Sequence, residues 1–280
     1  MMTILQAAIL GVVQGLTGFL PVSGAAHLVL IQHWFGLKDD LFVFNIAAHW
    51  GTVFALIIFL ARDIQKILAE AFLFLVQRPQ GADRTVFLDR YPYAMTVVFM
   101  ILSSIVTVLV GVFFKEIFEF TFRSVLAVGL AWLVMGGLLM NASRIKSLDP
   151  EREMTQMHHR DAFFIGLAQG LALIPGISGS GAMILMGLQC GLNRHTAIRY
   201  AFLLSIPLTL GVGVYRLGSS LPLLADAPSV YGTGFLCSLG VGLLGIKILF
   251  QLLERGKFHY FGYYCLAAGL LAIASQFLKS

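Results

Sequence analysis

Charge is what this sequence has least of. Only 12% of its 280 residues are Asp, Glu, Lys or Arg, against about 25% in soluble domains, which excludes a chain wetted over most of its surface. Cysteine is nearly as scarce. The three present, Cys190, Cys237 and Cys265, sit in apolar stretches at no metal-ligand spacing, so they offer neither a disulfide framework nor a zinc site and read as small packing residues. The N-terminus lacks a charged leader region and a cleavage site, so no signal peptide is expected. No phosphate-binding P-loop and no HExxH is present. What abounds is apolar chain: 58% hydrophobic residues and a mean hydropathy of +0.86. The runs 42–60, 95–113, 125–140, 201–215, 231–250 and 260–277 reach or approach the length of about 20 residues that crosses a bilayer. Helices satisfy their own backbone groups in lipid. The expectation is an all-α polytopic membrane protein with six or more transmembrane helices, one integral membrane domain over 1–280.

The net charge of +5 does not point to nucleic acid, because the basic residues fall in short segments between apolar runs, where they report topology. Arg62, Lys66, Arg78, Arg84 and Arg90 form one group, and Arg144, Lys146, Arg152 and Arg160 a second. Arg194 with Arg199 and Arg255 with Lys257 form two more, whereas 217–231 has no Lys or Arg. Placing the basic groups in the cytoplasm gives a consistent alternation of spans. Run 42–60 then begins outside, and the segments 3–35 and 162–192 that precede the two sets of spans return to the side they entered from.

Each of those segments has a Pro/Gly/Ser break in its middle. ILGVVQGLTGFLPVSGAAH (9–27) aligns with FIGLAQGLALIPGISGSGA (164–182): Gly11, Gln14, Gly15 and Leu16 match Gly166, Gln169, Gly170 and Leu171 at an offset of 155, as do Ser23-Gly24 and Ser178-Gly179. Three spans follow each segment, an odd number, so the second copy starts from the opposite face. This is the pattern of an inverted-topology repeat, repeat one over 3–141, repeat two over 161–278 and a cytoplasmic loop 142–160 between them. The breaks read as tips of two re-entrant helical hairpins, because irregular backbone at membrane depth is tolerated where protein buries it or it lines a wet cavity. Isolated glycines would only let helices pack closely. Two matched clusters at one offset instead point to an anion site built from helix N-termini and Gly-Ser amides.

These two stretches, with RYAFLLSIPLTLG and IKILFQLLERGKF further on, resemble the signatures of the undecaprenyl-pyrophosphate phosphatase (bacitracin-resistance) family over nearly the whole chain. The resemblance implies a multi-pass protein of the bacterial inner membrane, built as inverted repeats. It would bind an isoprenoid diphosphate lipid at a site opening to the outer face, and its activity would be removal of the terminal phosphate from undecaprenyl diphosphate. The family has Glu where this chain has Gln14 and Gly18, a second Ser where it has Gly24, and Arg where it has Gly179.

What remains supplies the candidate site: His27 and Ser23 as the reactive pair, and Gln14, Gly18, Gly24, Ala25, His49, Ser178, Gly179, Ser180 and Gly181 around the ligand. His49 enters as an ionisable side chain at membrane depth. His33 and Trp34 read as interfacial residues, and His158-His159 as part of a charged loop. A diphosphate is compatible with a divalent cation such as Mg or Ca, yet no carboxylate cluster marks a place for one; Asp39 and Asp40 read as a solvated loop pair. Nothing in the sequence specifies an oligomer, since lipid-facing and buried apolar faces read alike. Three functions stay open on these residues: a phosphatase working through His27 and Ser23, a non-hydrolytic lipid-phosphate transporter or flippase with the same fold, and an inactive relative that binds lipid or protein.

Overall fold

A computed structural model describes residues 2–37, 41–77, 82–142, 145 and 151–277; Asp39, Asp40, Arg78, Arg144 and Lys146 lie outside the described residues. Among the described residues the regular structure is helical throughout. Two pairs of short helices occupy the segments with central breaks: α1 (Ile4–Thr17) with α2 (Gly24–Trp34), and α9 (His159–Leu171) with α10 (Gly179–Gln189). Their lengths of 14, 11, 13 and 11 residues correspond to about 16–21 Å, well short of a hydrocarbon core of about 30 Å. Side-chain caps define where each pair starts and restarts. Thr3 closes a capping box with Gln6 on α1, while the hydroxyls of Ser23 and Ser178 cap α2 and α10.

The longer helices are α3 (Phe42–Phe59), α6 (Thr96–Phe113), α8 (Val125–Asn141), α11 (Arg194–Asp226), α12 (Pro228–Glu254) and α13 (Phe258–Phe277). Five of these, all but α8, are long and apolar enough to cross a membrane. A sixth span arises if α8 is joined to α7 (Lys115–Phe122), from which it bends by 107°. The expected bounds hold closely for α3, α6, α8 and α13. The windows 201–215 and 231–250 are too short, because polar ends that depress hydropathy are still helical. Three segments read as connections are helices as well: α4 (Ala61–Gln77), α5 (Ala82–Arg90) and α7. Leu68, Phe72 and Leu75 of α4 are 57%, 65% and 69% exposed, an exposed apolar stripe of the kind that interfacial helices carry.

Helix α1 packs chiefly on α12, and α9 on α6, while α8 packs on α13 and α3 on both α11 and α12. Small residues make these approaches possible. A Cβ on Gly11 would stand 2.6 Å from the Gly234 carbonyl oxygen, and one on Gly15 2.8 Å from the Val241 Cβ. At the positions 155 residues on, a Cβ on Gly166 would overlap the backbone of Ser103, and one on Gly170 would stand 2.6 Å from the Val110 Cβ. Hydroxyls strengthen the second seam: Ser103 donates to the Ala162 carbonyl at 2.7 Å, and the Thr107 hydroxyl lies 2.9 Å from Gln169 Oε1. Replacing Gly166 by Ala should therefore lower stability by about 1–3 kcal/mol through overpacking. Gly137→Ala, in open space on α8, should be neutral or stabilising by about 0.5–1 kcal/mol. Unfolding midpoints in detergent compare the two; equal shifts would mean that close approach at Gly166 carries no energy.

The connection before α9 is more structured than a charged loop. Arg152 donates at 2.5 Å both to the Asp161 carboxylate and to the Cys190 carbonyl, and Asn193 N–H donates to the Arg152 carbonyl at 2.9 Å. His158 belongs to this arrangement as the residue capping α9. The base of the second helix pair is thereby tied together by a largely buried ion pair.

Candidate functional site

The two breaks come together. Between α1 and α2 the chain runs through Phe19, Leu20, Pro21 and Val22 to Ser23, whose φ of 63° is the only positive one at a non-glycine among the described residues. Between α9 and α10 it runs through Pro175 and Gly176, which has φ 109° and no room for a Cβ against Val128 and Ala131. Gly176 N–H donates to Ser23 Oγ at 3.0 Å, and the hydroxyls of Ser178 and Ser180 each lie 3.3 Å from the Leu20 carbonyl.

Buried backbone carbonyls must find donors, and the first tip finds several of them far away in sequence, although Leu20 also accepts from the Val22 N–H at 2.7 Å. Leu20 is served by the two serines, Pro21 by the Cys265 thiol at 3.8 Å, Val22 by Trp132 Nε1 at 2.8 Å, and Ser23 by His27 Nδ1 at 2.8 Å. His27 Nε2 lies 2.7 Å from the Tyr264 hydroxyl. The His27 ring meets Trp132 edge-on at 5.0 Å and lies nearly parallel to the Tyr264 ring, 14° between planes. Neither ring nitrogen addresses the Ser23 hydroxyl; that oxygen accepts from Gly176 and, as a cap, from Ala26 N–H at 3.4 Å. An oxygen taking two N–H bonds retains its own O–H to give to a ligand.

A second group lies beside the tips. Gln14 Nε2 donates to Thr52 Oγ1 on α3 at 3.4 Å, while Gln14 Oε1 is buried and accepts nothing from the protein. Its counterpart Gln169 does have a hydroxyl partner, Thr107. The carboxamide of Gln14 lies between two glycines: a Cβ on Gly18 would stand 2.8 Å from its Nε2, and one on Gly24 3.1 Å from its Oε1. Gly179 differs, with nothing within 4 Å of where its Cβ would be. Gly24, Ala25 and Gly179 are partly exposed. The first N–H groups of α2 and α10 have no acceptor within their own helices, and the helix dipole adds to their attraction for an anion.

Gln14, Gly18, Gly24 and Ala25 thus gather at one tip with Ser23 and His27, and Ser178, Gly179, Ser180 and Gly181 at the other, where a Cβ on Gly181 would stand 3.0 Å from the Pro21 Cβ. His49 is partly buried on α3, with its Nδ1 2.7 Å from the Asn45 carbonyl of its own helix. Its carbonyl accepts from Thr52, so it touches the site through that residue. Among the described residues no group of three or more His, Cys, Asp and Glu side chains could hold a metal ion. Trp132, Tyr264, Thr52 and the hydrogen-bonding role of Cys265 went unread in the sequence. An indole N–H deep in an apolar helix must find an acceptor, and that requirement was the signal available for Trp132.

Comparison with known proteins places this arrangement. Residues 7–271 match the family described as bacitracin resistance protein BacA. The protein named undecaprenyl-diphosphatase from Methanosphaera stadtmanae is 37% identical over 278 residues, 98% of each chain. Proteins of the same name from Alkaliphilus metalliredigens (36% over 280 residues, 99% of this chain and 100% of the relative) and Rubrobacter xylanophilus (37% over 280 residues, 98% of each) are similar over the same extent. An all-helical membrane chain that matches from the first hairpin to the last helix belongs to the BacA bacitracin-resistance family.

Proposed function

We propose that this protein holds the diphosphate head of a long polyprenyl carrier lipid at its joined hairpin tips. Removal of the terminal phosphate, the activity in its relatives' name, would then proceed there much more slowly than at a site with carboxylates and arginine. The observation that carries this reading is the makeup of the tips. They present helix N-termini, exposed glycine backbone, a serine hydroxyl and a histidine, with Gln14, Gly18, Gly24 and Gly179 at the four altered positions. Amide N–H groups and the Ser23 hydroxyl can take up phosphate oxygens. Phosphoryl transfer depends on positioning and on neutralising oxygen charge, so the binding half of the task is retained. For hydrolysis, water attacks the terminal phosphorus, the bridging P–O bond breaks, and His27 Nε2 takes the water proton; lipid monophosphate and inorganic phosphate leave. A positioned acid or base contributes about 10²–10⁴-fold and a charge-stabilising donor about 10²–10³-fold; with Gln14, Gly18 and Gly179 in place of two carboxylates and an arginine, His27 is left as the base without them.

In the proposed setting the two short helix pairs are re-entrant, enter from opposite faces of the bacterial inner membrane, and form inverted repeats over 3–141 and 161–278. The matched motifs at one offset support this, as does the equivalent packing of Gly11 and Gly15 on α12 and of Gly166 and Gly170 on α6. The basic segments then face the cytoplasm and the site opens outward. The space beside Gly179, free of any guanidinium, favours a second reading: a carrier that moves lipid phosphate intact.

The test is purified protein in detergent with undecaprenyl diphosphate, run beside the Methanosphaera relative. The expected result is saturable lipid binding with phosphate release at least about 10²-fold slower, abolished by His27→Ala. Equal rates would overturn the slow-site reading, and absence of binding would overturn the whole assignment. Uptake of the lipid into liposomes without phosphate release would make the protein a carrier.

A further inference from the structure

His27 ties the first hairpin tip to α8 and α13 through Ser23, Trp132 and Tyr264, and its two nitrogens are not equivalent. The Ser23 carbonyl can only accept, so the proton on the neutral ring is on Nδ1, which donates at 2.8 Å. Nε2 then carries the lone pair, and the Tyr264 hydroxyl, 2.7 Å away, is its donor. The ring is confined on one side by Trp132, which is fully buried. On the other side stands Tyr264, 47% exposed. Access to Nε2 is therefore from the Tyr264 side. The phenol comes from α13, 237 residues from His27, so a helix distant in sequence covers the nitrogen that the Ser23 carbonyl leaves unprotonated.

We propose that Tyr264 is the positioning residue of His27 and the gate on its Nε2. At rest the phenol O–H donates to Nε2, steadies the ring orientation and covers the lone pair. When the phosphate head of the lipid arrives, Tyr264 turns its O–H from Nε2 to a phosphate oxygen, exposing the nitrogen at the moment water and phosphate are present. No covalent bond changes in this exchange; one hydrogen bond replaces another, and the lone pair becomes available to accept a proton. The proposal rests on the reading of the tips as the head-group site.

Nitrogen NMR of histidine-labelled protein tests it without relying on hydrolysis. His27 is assigned by loss of its signals in His27→Gln, and Tyr264→Phe keeps the ring while removing the hydroxyl. The expected result is a protonated Nδ1 in both proteins and an Nε2 resonance that moves in Tyr264→Phe toward that of a lone pair with no donor. Adding undecaprenyl diphosphate to the natural chain should move Nε2 in the same direction and leave the variant's Nε2 far less changed. An Nε2 resonance indifferent to Tyr264→Phe overturns the positioning role. Lipid that binds, measured separately by co-purification, yet leaves Nε2 unmoved overturns the gate alone. Lipid that does not bind overturns both the gate and the head-group site.

Discussion

The fourfold variant Gln14→Glu, Gly18→Glu, Gly24→Ser, Gly179→Arg releases phosphate from undecaprenyl diphosphate at least about 10³-fold faster than the natural chain, if the tips hold the head group as proposed. The gain falls short of the product of the separate contributions, since groups acting as a unit are not additive. The four changes meet different surroundings. Gly179→Arg enters open space, so this variant should fold as the natural protein does. Gly24→Ser asks the Gln14 carboxamide, 3.1 Å from the new Cβ, and Thr17 Oγ1, at 3.3 Å, to give way by a few tenths of an ångström. Gly18→Glu is the demanding change, because the added Cβ would stand 2.8 Å from the Gln14 carbonyl as well as from its side chain. Its placement requires the end of α1 to move, and two carboxylates one turn apart repel. Phosphate release measured on the single, double and fourfold variants separates chemistry from folding. A folded fourfold variant that binds the lipid and remains as slow as the natural chain would show that the tips are not where phosphate is transferred.

Trp132→Ala should be the most destabilising single substitution in the site. Truncating a buried tryptophan costs about 3–5 kcal/mol in lost packing, and the Val22 carbonyl loses its donor, at about 1–3 kcal/mol more. Trp132 is fully buried at the meeting of α8, the first tip and the His27 ring, so lipid cannot fill the space. Trp132→Phe keeps much of the volume and loses only the N–H, so it should cost about 1–3 kcal/mol. Reversible unfolding in mixed detergent gives both values. A Phe variant as stable as the natural protein would mean that the Val22 carbonyl needs no donor.

The hairpins were legible because Pro21, Ser23, Pro175 and Gly176 interrupt apolar chain at matched positions, and a cap serine follows each break. Helices α3, α6 and α8 were legible because their ends coincide with changes in polarity. Helix α4 was not, since Arg62, Asp63, Lys66 and Glu70 made it read as a loop, although Leu68, Phe72 and Leu75 already stood at helical spacing. Among the residues that meet at the two tips, Ser23, His27 and Ser178 stood in the two matched motifs. Tyr264 was beyond reach of the sequence: it depends on α13 packing against α8, where Gly129 and Gly136 admit Gly269 and Gly262, and no local pattern announces which of several tyrosines that contact delivers.

The carbonyls of the first tip have a consequence for synthesis. When Leu20, Pro21 and Val22 leave the ribosome, none of the side chains that will serve them exists. Trp132 follows Val22 by 110 residues, Ser178 follows Leu20 by 158, and Cys265 follows Pro21 by 244. At about 5–20 residues per second the wait is on the order of 5–20 s for Trp132 and roughly 10–50 s for Cys265. Leu20 can take the Val22 N–H meanwhile, but hydrocarbon is no place to pass that interval with the Pro21 and Val22 carbonyls unserved, whereas water at the membrane rim serves them at once. With the re-entrant arrangement proposed above, the hairpin made first is therefore among the last parts of the chain to reach its final depth, and its partners arrive with the spans that close around it.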